Sequence, residues 1–323
     1  MTQELNAARI KTTHSRLKRL AKECGFNRLS DLSGESLTRW LGTQLAAGMG
    51  AGTRNEYRQE MVGFANWCIR TGRLSINPFN DVPRANAKAD QRRKRRALSE
   101  AELERLLFVA RCRPLAEYGR ESILLEQPVA AQKKRSNWKS APLTYDGLTT
   151  AVSLARDRLA GNPEFAAKLE QRGRERALIY RTLVLTGLRR GELASLTMGS
   201  IELDAPTPFA TLGARDEKNR EGSEIPLRAD LVGDLRSWID DKRDGFAGTR
   251  ADFSYLPLFA VPPSLLRVLN RDLAAAGIPK TDERGRAVDV HAMRMTLATM
   301  LNKAAGVQVS FSVLKGCFFG RCG

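Results

Sequence analysis

The chain has 323 residues, 42% of them hydrophobic, which is enough length for two domains of ordinary size and enough apolar content for real cores. Its 53 Lys plus Arg against 36 Asp plus Glu give a formal net charge of +17. A field of that sign favours polyanions, nucleic acid first, then a ribosome or an anionic membrane surface. No run approaches the roughly 18 apolar residues of a spanning helix, and the N-terminal MTQELNAARIKTTHSRLKRL lacks the apolar core of a signal peptide. These features predict a cytoplasmic protein. Five cysteines, Cys24, Cys68, Cys112, Cys317 and Cys322, form no CxxC pair, which argues against a disulfide framework and against a zinc site.

Residues 1–83 read as a small helical domain. One helix is expected over about 5–23 and a second over SLTRWLGTQLAAG. A third is expected to start at the Thr53-Arg-Asn-Glu56 capping box. It continues with Tyr57, Met61, Phe64 and Cys68 at helical spacing, and Gly72 can cap its end. Tyr57, Phe64 and Trp67 are expected to build the core of this bundle. Asn77-Pro78 stops the regular structure.

Residues 84–98 read as a basic linker. Within RANAKADQRRKRR, residues 84–96, seven side chains are basic and one is acidic. An isolated run of this kind is as readily a solvated tether. Between two helical domains of a basic protein, tracking along phosphates is favoured, which marks Arg92, Arg93, Lys94, Arg95 and Arg96 as DNA-binding candidates.

The second domain, 99–323, opens at a second capping box, Ser99-Glu-Ala-Glu102. Residues 113–173 form a charged helical stretch, broken at Asn162-Pro163, with no specific motif. A buried helix, ERALIYRTLVLTG, follows. Three short β-prone runs come next, SIELD, PFATLGA and SEIPL, the last two reading as a hairpin around RDEKNREG. Three further helices are expected in ADLVGDLRSWIDDK, PPSLLRVLNRDLAAAG and HAMRMTLATMLNKAAG. The fold class is therefore mainly α: a helical N-terminal domain, then a mixed α+β domain with a small antiparallel sheet.

Three elements carry chemistry. In Thr186-Gly-Leu-Arg-Arg-Gly-Glu-Leu193 an arginine, Arg189, follows a helix stop and can present its planar fork to a phosphate. Read alone, the same residues also describe a helix cap with a surface arginine. The hairpin tip Asp216-Glu-Lys-Asn-Arg-Glu-Gly222 places Lys218 where it could donate a proton, although charged turns are commonplace. In His291-Ala-Met-Arg294 the i, i+3 spacing sets His291 and Arg294 on one helix face, near a helix start that favours anions. The chain has only two histidines, and this one introduces an otherwise apolar helix.

In this order and spacing the elements resemble the tyrosine recombinases, the phage integrase family. The resemblance covers most of residues 5–308, with 113–173 the least matched. It implies a core-binding, SAM-like DNA-binding domain at 1–83 and a catalytic domain at 99–323. It makes Arg189 and Arg294 the arginines that hold the scissile phosphate, Glu192 the supporting acid, and His291 an assistant in proton transfer. Lys218, eight residues before Pro226, takes the place of the family's leaving-group lysine. The implied reaction is DNA strand cleavage and rejoining through a 3′-phosphotyrosyl intermediate, with no metal or other cofactor and no ATP. The implied partners are double-stranded DNA and other recombinase protomers, with no membrane, in a bacterial cytoplasmic, nucleoid-associated setting.

The sequence departs from the family pattern at two places. Met295 stands where a second histidine often follows the HxxR motif. After Val307, QVSFSVLKGCFFGRCG contains no His, Trp or Tyr, so no nucleophile is identified. Tyr57, Tyr118, Tyr145, Tyr180 and Tyr255 all precede His291, and Tyr255 is a poor substitute in a loop. A frameshift or early stop after Val307 is expected, against a genuine variant terminus or a gene-reading error. Exposure of Leu297 and Leu301 is expected to follow, partly covered by Phe311, Phe318 and Phe319, with marginal stability of the second domain. The activity reading is thus a recombinase that is inactive alone. The alternatives are a non-catalytic DNA-binding remnant of one and an unrelated basic nucleic-acid binder.

Overall fold

The computed structural model describes residues 7–124, 138–217, 221–246 and 252–305. The chain divides into two compact units, Met1–Arg93 and Lys94–Gly323. The elements are mainly helices, with a small antiparallel sheet in the second unit, as composition and periodicity predict.

The first unit holds α1 (Ala7–Cys24), α2 (Gly34–Ala46) and α3 (Ala51–Arg70). Leu20, Leu37, Trp40, Met61, Ala65 and Phe79 fill its core. Each fully buried large side chain stabilises it by roughly 1.5–3 kcal/mol. The Trp40 indole is satisfied at its polar end by donating to the Glu23 carboxylate at 2.7 Å. Trp67 does not join this core. It is 44% exposed, stacked on Phe64 and lying under Arg73.

The Thr53 capping box also gives way. α3 starts two residues earlier, at Ala51, because Asp90 accepts from the Ala51 N–H at 2.6 Å and supplies from a distant segment the acceptor a helix start needs. The segment bearing Asp90 is fastened to α3 by side chains. Asn55 bridges the N–H and C=O of Ala85, and Arg58 donates to the Val82 carbonyl at 2.5 Å. Gly72, at φ +69°, follows the end of α3.

The second unit begins with the two-residue β1 (Lys94–Arg95) and α4 (Glu100–Ala116). The Ser99 capping box is realised. Its hydroxyl accepts from the Glu102 N–H at 3.2 Å, and the Ser99 N–H donates to the Glu102 carboxylate at 2.9 Å. A hairpin, β2 (Ser122–Leu124) and β3 (Trp138–Ser140), and α5 (Leu148–Arg158) follow. Asn162-Pro163 is a helix start rather than a break. α6 runs from Pro163 to Thr186, with Asn162 accepting from the Phe165 N–H and proline at the first position, where no donor is lost.

Beyond α6 come α7 (Arg190–Ser195), β4 (Ile201–Glu202), β5 (Phe209–Leu212), β6 (Ser223–Pro226), α8 (Ala229–Asp244), α9 (Leu265–Ala275), β7 (Arg286–Ala287) and α10 (Ala292–Ala305). β4, β5 and β6 form an antiparallel sheet in that order, with Phe209 opposite Pro226 and Leu212 opposite Ser223. β1 pairs parallel with β7.

α4 and α6 pack at backbone distance. A Cβ on Gly173 of α6 would lie 1.8 Å from the Arg111 carbonyl oxygen of α4, so only glycine fits. Behind that contact lies a buried polar cluster. Asp272 of α9 is 0% exposed and accepts from Arg113 at 2.5 Å, Tyr180 at 2.7 Å and Arg176 at 3.3 Å. The cluster pins α4, α6 and α9 together with its charges paired and hydrogen-bonded.

Leu297 and Leu301 of α10 are half-buried. Phe311, Phe318 and Phe319, with Cys317 and Cys322, lie outside the described residues. Among the described residues no helix is long and apolar enough to cross a membrane.

Candidate active site

α6 ends at Thr186 because Gly187 turns into the left-handed region, φ +65°, donating its N–H to the Leu183 carbonyl at 3.1 Å. Leu188 is buried, which anchors the turn. Arg189 then enters α7 in an extended conformation. Its backbone N–H donates to Glu192 Oε2 at 2.7 Å, and its Nη1 lies 2.5 Å from Glu192 Oε1. One carboxylate thus caps the helix and orients the arginine that starts it.

α10 brings the second arginine to the same place. Arg294 donates through Nη1 to the Gly187 carbonyl, and that nitrogen lies 3.8 Å from Glu192 Oε2. Arg294 is 13% exposed and Glu192 7% exposed, while Arg189 keeps 29% of its side chain open to solvent. Burial pushes the Arg294 guanidinium below its ordinary range, and the Arg189 charge adds to this while Glu192 opposes it. For Glu192, burial alone would raise the pKa. Hydrogen bonds from Arg189 and the charges of both arginines outweigh it and hold the carboxyl below the usual carboxylate range. Two arginines sharing one ionised carboxylate keep a net positive charge aimed at the surface, suited to an oxyanion.

His291 stands one residue before α10, exposed at the surface. Partial desolvation lowers its pKa, and the neighbouring charges of Arg95, Arg294 and Arg189 lower it further against the opposing Asp289. The imidazole is therefore biased toward its neutral form. Arg189, Arg294, Glu192 and His291 are thus brought together. Lys218 lies outside the described residues, in the chain between β5 and β6. Met295, beside Arg294, is 42% exposed. Among the described residues no group of three or more His, Cys, Asp or Glu side chains is placed to hold a metal ion.

The basic run separates into two classes. Arg93 and Lys94 are exposed, with no ion pair among the described residues. Arg92 is drawn to Asp90 and to the Gly48 carbonyl. Arg96 grips Glu102 through both nitrogens of its fork, at 2.7 and 2.8 Å. Arg95 Nε reaches both oxygens of Asp289, at 2.9 and 2.8 Å.

Asp289 escaped the sequence reading. Its one visible signal is an acidic residue three positions ahead of Ala292, where a helix N–H needs an acceptor.

Among the tyrosines, Tyr180 is fully buried on Asp272. Burial first, then the Asp272 charge and hydrogen bond, drive its hydroxyl far above the ordinary phenol range. Tyr255 is 79% exposed at the end of a short 3-10 turn, Phe253–Tyr255.

No family model and no curated protein matches this sequence. Solved structures do. A lambda integrase dimer bound to a COC′ core site superposes with a TM-score of 0.56 at 15% identity, over 100% of this chain and 90% of that one. XerH site-specific recombinase bound to difH substrate, in a pre-cleavage complex, gives 0.56 at 14% identity, over 97% and 74%. The Tn1549 transposon integrase with transposon right end DNA gives 0.56 at 14%, over 100% and 88%.

The chain has the tyrosine recombinase fold. At such low identity what is shared is the fold. Within that recombinase fold, α6, α7 and α10 are the elements that gather the two arginines.

Proposed function

We propose that this chain is a site-specific DNA recombinase of the tyrosine type by descent, which binds double-stranded DNA and does not cleave it alone. The observation that carries the reading is the convergence of Arg189 and Arg294 on Glu192, with His291 at the head of the same helix, in a fold shared with recombinases solved on their DNA sites. The arginine pair holds the non-bridging oxygens of a scissile phosphate and stabilises the charge that develops there. His291 serves proton transfer, and Lys218 protonates the leaving 5′-oxygen. Residues 1–83 act as the helical DNA-binding domain, 84–98 as a basic linker, and 99–323 as the catalytic domain. Other protomers of the same chain are partners on DNA, in keeping with the lambda integrase dimer.

Cleavage needs a tyrosine hydroxyl at this pocket. Tyr180 is locked in the core by Asp272.

The test is selection of bound duplexes from a random pool, followed by a nicked version of the enriched site on a denaturing gel. A discrete site and no covalent adduct are expected. An adduct would show that one of the present tyrosines attacks. If no site is enriched, and replacing Arg189 and Arg294 costs only two charges' worth of salt-dependent affinity, the protein is a general basic binder and the recombinase reading fails.

A further inference from the structure

We infer that Asp289 is a positioning residue for His291, holding it through a clamp on Arg95. The inference rests on reading His291 as part of the catalytic set.

The clamp has three fastenings. β1 and β7 pair in parallel, Lys94 against Arg286 and Arg95 against Ala287, and the Arg96 N–H donates to the Ala287 carbonyl at 3.2 Å. This fixes the backbone of Arg95 two residues from Asp289. The Arg95 Nε then reaches both carboxylate oxygens of Asp289. Finally, Asp289 accepts the Ala292 N–H twice over, through Oδ1 at 3.0 Å and through its backbone carbonyl at 2.8 Å. Ala292 is the first residue of α10, so the acceptor satisfies a helix-start donor. His291 lies between the capping residue and the capped one. Its backbone has little freedom while both bonds hold.

The pairing is half-buried, with Arg95 34% and Asp289 20% exposed, so the ion pair is screened less than a surface one. Asp289 engages the Arg95 Nε and leaves the guanidinium charge in place. The remaining effect of Arg95 on the site is electrostatic. The charged groups facing the imidazole are Arg95 from β1, Asp289 from the turn before α10, Arg294 from α10 and Arg189 from the start of α7. Asp289 alone among them favours the protonated ring.

That opposition lets the titration of His291 separate position from charge. The measurement is the NMR titration of His291 in the full chain without DNA, with His14→Gln identifying the second imidazole, so it does not depend on the recombinase reading. Asp289→Asn keeps an acceptor for Ala292 and for Arg95 but loses the anion, and His291 should titrate lower than in the parent. Asp289→Ala loses the anion and the clamp together. The freed ring should titrate higher than in the parent, back toward the ordinary imidazole value. A His291 pKa that falls or stays put in Asp289→Ala overturns the proposal, because it makes Asp289 a charge and nothing more. If Asp289→Ala does not fold, Arg95→Lys decides. It keeps the charge and leaves the cap in place, so His291 rises only if the reach of the guanidinium holds it, and an unmoved value overturns the proposal.

Discussion

Glu192 holds Arg189 at both ends, taking the backbone N–H at 2.7 Å on one oxygen and the guanidinium at 2.5 Å on the other. The same carboxylate lies 3.8 Å from the Arg294 Nη1. Glu192→Ala should remove the carboxylate that Arg189 and Arg294 share, at a cost of about 2–3 kcal/mol in urea unfolding, with Arg189 discounted for its exposure. Glu192→Gln should cost less, since the amide oxygen still accepts the Arg189 N–H. Because the folded pKa of Glu192 is depressed, its contribution is complete above the ordinary carboxyl value of about 4.5 and is lost as pH falls below it. Parent stability should therefore drop from pH 5 to pH 3 more steeply than that of Glu192→Gln.

The approach of α4 to α6 at Gly173 gives a sharper structural test. Gly173→Ala places a methyl 1.8 Å from the Arg111 carbonyl, and two backbones must separate to admit it. A loss of about 2 kcal/mol or more in urea unfolding is expected. Gly233 in α8 is the control, since a Cβ there meets nothing within 4 Å. Gly233→Ala should stabilise by roughly 0.5–1 kcal/mol through helix propensity. Equal effects at both positions would refute the close packing.

Asp272 is buried with three donors directed at it. Removing it leaves Arg113, itself 7% exposed, with Glu117 as its remaining anion among the described residues, and Asp272→Ala should cost about 3 kcal/mol. The Tyr180 hydroxyl is held protonated by the same surroundings. Its tyrosinate absorbance should appear only as the protein unfolds in alkali, and Tyr180→Phe should delete that late step without altering the earlier ones. A tyrosine so held does not attack phosphorus.

Salt dependence should divide the basic run. Arg93→Ala and Lys94→Ala each remove an exposed cation, and each should reduce the slope of log affinity against log salt by about 0.9 if that cation meets a phosphate. Arg96→Ala breaks the two-pronged bond to Glu102. It should lower the melting temperature while leaving the slope nearly unchanged. Equal slopes for all three variants and the parent would remove this run from the DNA interface.

Features decided within one helical turn were legible in the sequence. The Ser99 box forms because its partners are three residues apart, and Gly187 ends α6 because few other residues tolerate its positive φ. The i, i+3 spacing of His291 and Arg294 needed only a helix to become a shared face. Tertiary structure decided whatever depended on partners far along the chain. Asp90 captured the start of α3 and displaced the Thr53 box. Trp67 was left outside the core its spacing suggested. Arg95 and Arg96, indistinguishable by composition from Arg93 and Lys94, were claimed by Asp289 and Glu102. The meeting of Arg294 with Gly187 and Glu192 is of the same kind. A local pattern fixes which bonds a segment can make by itself, but a charged side chain goes to the carboxylate or carbonyl that the folded chain brings within reach, and that choice exists only once α6, α7 and α10 are packed.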